Sequence, residues 1–126
     1  MTSPNISTDP DITVLDICCG GGLIGLACAP FVGRVLGVDE CDAAIQDARE
    51  NAVLNGFAVE KATFETGRAE SKIDAMLKAC VAAGGASVGS DELAVPVVAV
   101  VDPPRGGLHP AVISALRAVR REARRL

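Results

Sequence analysis

The 126 residues, 49% of them hydrophobic and with a net charge of −4, suit one domain and leave little room for a second. No stretch approaches the ~18 apolar residues of a membrane span, and residues 1–10 lack the basic and apolar regions of a signal peptide. Five cysteines and one histidine argue against both a disulfide framework and a metal site, so Cys18, Cys19, Cys28, Cys41 and Cys80 read as small buried hydrophobes in a reducing, intracellular compartment, cytoplasmic or nuclear.

Residues 1–11 read as a loose leader and 12–126 as one domain. Ile12–Ile17 is apolar and β-branched, the pattern of a strand. Gly22–Phe31 reads as a helix opening at glycines, and Arg34–Asp39 as a second strand. Asp42–Asn55 follows as a helix, with Asp42 at the N-cap, Ala44, Ile45, Ala48 and Ala52 on one face, and Gly56 as its stop. Val59–Thr66 alternates weakly and suits an edge strand. Ala69–Ala83 reads as a helix with Ile73, Leu77 and Cys80 inward, and Gly84–Asp91 as a Gly/Ser loop. Val95–Val101 reads as a buried strand, and Pro110–Arg125 as a helix with proline in its first turn. Alternating strands and helices imply parallel βαβ units in a doubly wound α/β sheet, of order 3-2-1-4. Phe31, Phe57 and Phe64 are the only aromatic residues, so Val, Ile, Leu and Ala must build the core.

Two motifs fall at the carboxyl ends of strands, where such sheets bind ligands. The first is Asp16-Ile-Cys18-Cys19-Gly20-Gly21-Gly22, continuing to Gly25. Gly20, Gly22 and Gly25 have G-x-G-x-x-G spacing, and Asp39 ends the next strand 19 residues after Gly20. Glycines let a backbone approach a cofactor closely, and a strand-end carboxylate accepts hydrogen bonds from ribose hydroxyls. A dinucleotide and S-adenosylmethionine both fit this pattern, and a purely structural turn is a third reading. Asp16 favours S-adenosylmethionine, because a carboxylate beside the loop repels a pyrophosphate and attracts a sulfonium and an ammonium.

The second motif, Asp102-Pro103-Pro104-Arg105, closes the last strand. Two prolines fix an extended path and remove two donors, presenting Asp102 and Arg105 at the cleft for a base edge or a cofactor amine. A plain strand-ending turn is the bland alternative. Enzymes that methylate an exocyclic amino nitrogen usually place an aromatic residue where Arg105 stands, so arginine points to different chemistry.

Charge is unevenly spread. Residues 1–104 hold six basic and fifteen acidic residues, whereas 105–126 hold six arginines and one glutamate. An acidic body does not attract nucleic acid. The arginines suit either a solvated helix end, where the macrodipole favours cations, or contact with phosphate.

The segments LDICCGGGLIGL (15–26), GVD (37–39), AIQDARENAVLNG (44–56), GRAE (67–70) and DPPRGGLH (102–109) together resemble the RNA uracil-C5 methyltransferases. The resemblance runs from about residue 12 to the end and implies a Rossmann-like class I S-adenosylmethionine-dependent fold. It implies cofactor contacts from the loop (Asp16, Cys18, Gly20, Gly22), from Asp39 (where a Glu is common) and from Asp102. Asp102 and Arg105 would support catalysis. The implied substrate is RNA, in particular tRNA, and no metal or membrane is implied. Uracil C5 must be activated by a cysteine thiolate adding to C6, followed by a base that removes the C5 proton. In the family that cysteine lies in a Ser-Cys-Asn-Pro loop after the next strand, and the 126 residues contain no such segment. The chain is therefore expected to be a C-terminally truncated cofactor half, inactive alone, with an uncovered apolar edge at 95–101 that favours self-association. A cofactor- or partner-binding module without catalysis, and a dinucleotide oxidoreductase, are the competing readings.

Overall fold

The computed structural model describes residues 8–83 and 96–124. Among these residues four parallel strands form one sheet: β1 (Asp9–Ile17), β2 (Val32–Asp39), β3 (Ala62–Thr66) and β4 (Val97–Val101), in the order β3-β2-β1-β4. The helices are α1 (Leu23–Cys28), followed by a 3-10 turn at Ala29–Phe31, then α2 (Asp42–Leu54), α3 (Ala69–Ala83) and α4 (Pro110–Arg124). No helix among the described residues is long and apolar enough to cross a membrane.

Period-two alternation divides the strand residues between two faces. Val14 of β1 and Val35 of β2 pack with Ala62 and Phe64 of β3 beneath Leu26 of α1 and Ile45, Ala48 and Ala52 of α2. Leu15, Ile17 and Val38 point the other way, beneath Ile73, Met76 and Cys80 of α3 and Val112 of α4. Two helices on each face produce the doubly wound sheet expected from the alternation, with the expected strand order.

Several boundaries differ from the sequence reading. Asp9–Asp11, assigned to the leader, belong to β1: Asp9 pairs with Val32 across an irregular register ending at Thr13. Gly33 permits this crossing, because a Cβ there would overlap the Pro10 carbonyl. The helix after the glycines is one short α-helix plus a 3-10 turn, since Pro30 removes a donor that a longer helix requires. The N-cap of α2 is Cys41. Asp42 instead sits in the first turn, accepting from Thr66 Oγ1 at 2.8 Å and Gln46 Nε2 at 3.1 Å. Strand β3 starts at Ala62, later than the alternation suggested.

Strand β4 is not buried on both faces. It forms the sheet edge, and Val98 is 46% exposed. The cysteines are less buried than their composition suggested: only Cys80 is buried, Cys18, Cys19 and Cys28 are half-buried, and Cys41 is exposed. The Gly/Ser loop at 84–91, the first seven residues of the leader and Arg125 lie outside the described residues.

Candidate functional site

The carboxyl ends of β1, β2 and β4 bring Asp16, Asp39 and Asp102 to one end of the sheet. Register enforces this: Ile17 pairs with both Val38 and Val101, so the two following aspartates flank the same strand end. The chain then continues the ladder into the glycine loop, with Cys19 N–H donating to Val38 O at 3.0 Å and Asp102 N–H to Ile17 O at 3.2 Å.

The loop turns at Cys18, whose φ of 61° makes it the only non-glycine residue in the left-handed region among the described residues. Its side chain packs against the apolar cluster beneath α3 and α4, so its main chain is the part that serves the loop. Gly22 N–H donates to Cys19 O at 2.9 Å, closing the turn. Gly20 and Gly22 then play different parts. A Cβ on Gly20 would meet nothing within 4 Å, which leaves that face of the loop open. A Cβ on Gly22 would meet Phe64 at 3.0 Å and Ala48 at 3.1 Å, so Gly22 allows α1 to pack closely against β3 and α2.

Three side chains hold the loop. Asp39 accepts from Gly20 N–H through Oδ2 at 2.9 Å, and from Cys41 N–H through Oδ1 at 2.9 Å. Asn51 of α2 donates to Gly21 O at 3.0 Å. Asp16 accepts from Gly25 N–H at 3.0 Å, capping α1 from the adjoining strand because Gly22, at its N-cap, has no side chain to do so. Arg49 of α2 donates through Nε and Nη2 to Phe64 O, fixing the strand on which the Phe64 ring is carried. The sequence reading missed Asn51 and Arg49, and nothing in their spacing distinguishes them from solvated helix residues.

Asp16 is 1% exposed, and its Oδ1 has no hydrogen-bond partner among the described residues. Burial pushes its carboxyl above the usual value. The Gly25 N–H works against that rise, and the charges of Asp102 and Asp39 add to it. No lysine or arginine compensates: the one ion pair among the described residues is Lys72–Glu65 at 3.6 Å, between α3 and β3. A buried carboxylate with one oxygen unpartnered is costly, so the surroundings of Asp16 favour a positively charged ligand. No His/Cys/Asp/Glu group among the described residues could hold a metal ion.

The surroundings of both loop cysteines disfavour the thiolate form. Burial, followed by the charge of Asp16, pushes the Cys19 thiol up to about 12. Burial and the charges of Asp39, Glu40, Asp102 and Asp16 also raise the Cys18 thiol.

Asp102 and Arg105 are exposed in the loop that leads to α4. The loop closes with Gly107 N–H donating to Pro104 O at 2.8 Å, with Gly107 at φ 81°. Arg105 makes no hydrogen bond or ion pair among the described residues, so the structure does not join it to Asp16 or Asp39. His109 caps α4, its Nδ1 accepting from Ala111 N–H at 3.1 Å.

A family model described as "Methyltransferase domain" matches residues 8–96, which include the glycine loop and Asp39. The chain belongs to the methyltransferase-domain family. Among relatives of this methyltransferase domain, the tRNA (uracil-5-)-methyltransferase homolog A of Mus musculus is 44% identical over 109 residues, covering 86% of this chain and 16% of the relative. The homolog B of Homo sapiens is 42% identical over 110 residues, covering 87% of this chain and 19% of the relative. The chain therefore spans less than a fifth of the length of either. Among solved structures, the tRNA (uracil-54, C5)-methyltransferase of Pyrococcus abyssi, in complex with S-adenosyl-L-homocysteine, is 30% identical with a TM-score of 0.59. That match covers 85% of this chain and 22% of the other. Sheet order, helix placement and family membership agree on a class I methyltransferase fold.

Proposed function

We propose that this methyltransferase domain is the S-adenosylmethionine-binding part of a tRNA uracil-C5 methyltransferase. The observation that carries the cofactor reading is the set of three aspartates at one end of the sheet, with Asp16 buried and, among the described residues, one of its oxygens unpartnered and no cation paired with it. A dinucleotide would bring pyrophosphate charge beside the buried Asp16. The uracil-C5 reading comes from the relatives, whose names specify that reaction.

When bound, S-adenosylmethionine supplies a methyl group activated by a positively charged sulfur. In the proposed site Asp16 and Asp102 stabilise the positive end of the cofactor. A carboxylate offers about four acceptor positions, so Asp39, with two taken by Gly20 and Cys41, retains capacity for ribose hydroxyls. The main chain at Cys18, the open side of Gly20 and the turn at Gly22 form the cradle. Exposed Arg105, in the loop after β4, is assigned to the RNA substrate.

The raised thiols of Cys18 and Cys19 support a second reading for the 126 residues alone: binding of cofactor without turnover. Nucleoside analysis of unmodified tRNA incubated with S-adenosylmethionine tests both readings. A longer protein containing this sequence is expected to form 5-methyluridine, and the 126-residue chain none. A different methylated nucleoside would overturn the assignment of the reaction.

A further inference from the structure

The sign of the charge reverses along one element. Fifteen acidic residues outnumber six basic ones up to residue 104, and six arginines then outnumber one glutamate. In α4, Val112 is buried and Ala115 and Leu116 pack partly buried against the cluster beneath α3. At about 100° per residue, helix position 117 lies roughly 140° around from Val112, and positions 120, 121 and 124 lie between about 80° and 180° on the same side. The four arginine positions thus share about a third of the circumference, while Glu122 falls at about 280°, on the opposite flank.

Arg117 is exposed, as is Arg105 just ahead of the helix, and neither has a charged or hydrogen-bonded partner among the described residues. The macrodipole accounts for arginines in a last turn. It does not account for Arg105, which precedes the positive end of the helix, nor for confinement to one face. Guanidinium groups match phosphate through paired N–H donors.

We infer that this face of α4, headed by Arg105, is the surface along which an RNA phosphate backbone lies, so that RNA approaches the site from the β4 edge. The rest of the domain is net acidic and repels a polyanion; α2, for example, exposes Asp42, Asp47 and Glu50. Because α4 runs back from the carboxyl end of β4, its arginine positions lead away from the site along one side of the sheet. The inference rests on the proposed RNA substrate, and it adds the surface and the direction of approach.

Fluorescence anisotropy of the 126-residue chain with a fluorescein-labelled 17-nucleotide RNA stem-loop, across a salt series, tests it. Each phosphate contact contributes about 0.7–0.9 to the slope of log affinity against log salt. Joint substitution Arg117→Gln, Arg121→Gln, Arg124→Gln is expected to reduce that slope by about 2 and to weaken binding on the order of 100-fold at 0.1 M salt. Arg117→Gln alone, at an exposed position that tolerates change, should reduce the slope by a little under one. Lys78→Gln, exposed on α3, should leave the slope unchanged. A wild-type slope in both arginine variants overturns the inference, as does tighter binding to phosphatidylserine vesicles than to the RNA. S-adenosylmethionine titration of the same samples separates the two claims. RNA binding with the expected slopes but no cofactor binding would sink the cofactor reading alone, and the reverse would sink only the surface.

Discussion

Replacing Asp39 by alanine should damage the fold and the cofactor site together. The carboxylate accepts one N–H from the glycine loop and one from the start of α2. Hydrogen bonds to a charged group contribute about 1.5–3 kcal/mol when sheltered and less when exposed. The Gly20 bond is partly buried and the Cys41 bond exposed, which gives about 2–2.5 kcal/mol in all. For a domain of this size each kcal/mol moves Tm by about 3–5 °C, so Asp39→Ala should melt about 6–12 °C below wild type by circular dichroism. Asp39→Asn keeps one acceptor oxygen but turns an amide N–H toward the other donor, and should fall between the two. If Asp39 also holds ribose, the alanine variant should bind S-adenosylmethionine about 5- to 150-fold more weakly, a loss of about 1–3 kcal/mol. A Tm within about 2 °C of wild type would refute the structural role. Unchanged affinity in a folded variant would place the ribose elsewhere.

Gly25→Ala should destabilise the domain by about 1 kcal/mol, because packing strain of about 1–3 kcal/mol outweighs the usual helix gain of about 1 kcal/mol. Its new Cβ would lie 2.8 Å from both Asp16 Oδ2 and Val35 Cγ1, and a raised Tm would contradict this. The raised Asp16 carboxyl fixes the sign of a pH effect: wild type loses stability as pH climbs from the usual value of 3.8 through the higher folded value. Asp16→Asn, which still offers an oxygen to Gly25, should therefore gain on wild type in urea midpoint between pH 4 and pH 7, and a constant difference would count against the assignment. Iodoacetamide at pH 8 should label exposed Cys41 first, while Cys19, with its thiol pushed up to about 12, and buried Cys80 stay largely unmodified. Rapid alkylation of Cys19 in the folded chain would be incompatible with its surroundings.

The topology was legible because each apolar strand run ends at, or within three residues of, a glycine or an aspartate, and because α2 and α3 carry helical periodicity. The end of β1 followed from this, but its beginning did not: Asp9–Asp11 are polar, and their pairing depends on close approach over Gly33. The edge position of β4 was legible in the 3-2-1-4 order, but its exposed face was not, since an apolar run looks the same whether one face or two are covered. The motifs located Asp16 and Asp39, and the register places both with Asp102 at one end of the sheet. Their structural duties were not legible, because Asp16 reaches Gly25 nine residues on and Asp39 reaches Gly20 nineteen residues back. Only the fold makes those neighbours. Gly22, read as part of the cofactor loop, also serves packing against Phe64, a partner 42 residues away in sequence.

The central claim is that three aspartates make this end of the sheet a site for a positively charged cofactor. Calorimetric titration of the chain with S-adenosylmethionine and, in parallel, with NADH tests it most directly, with Asp16→Asn as the companion sample. Saturable binding of S-adenosylmethionine alone, weakened in the variant, is expected. Binding of NADH, or equal affinity for S-adenosylmethionine in wild type and Asp16→Asn, would contradict it.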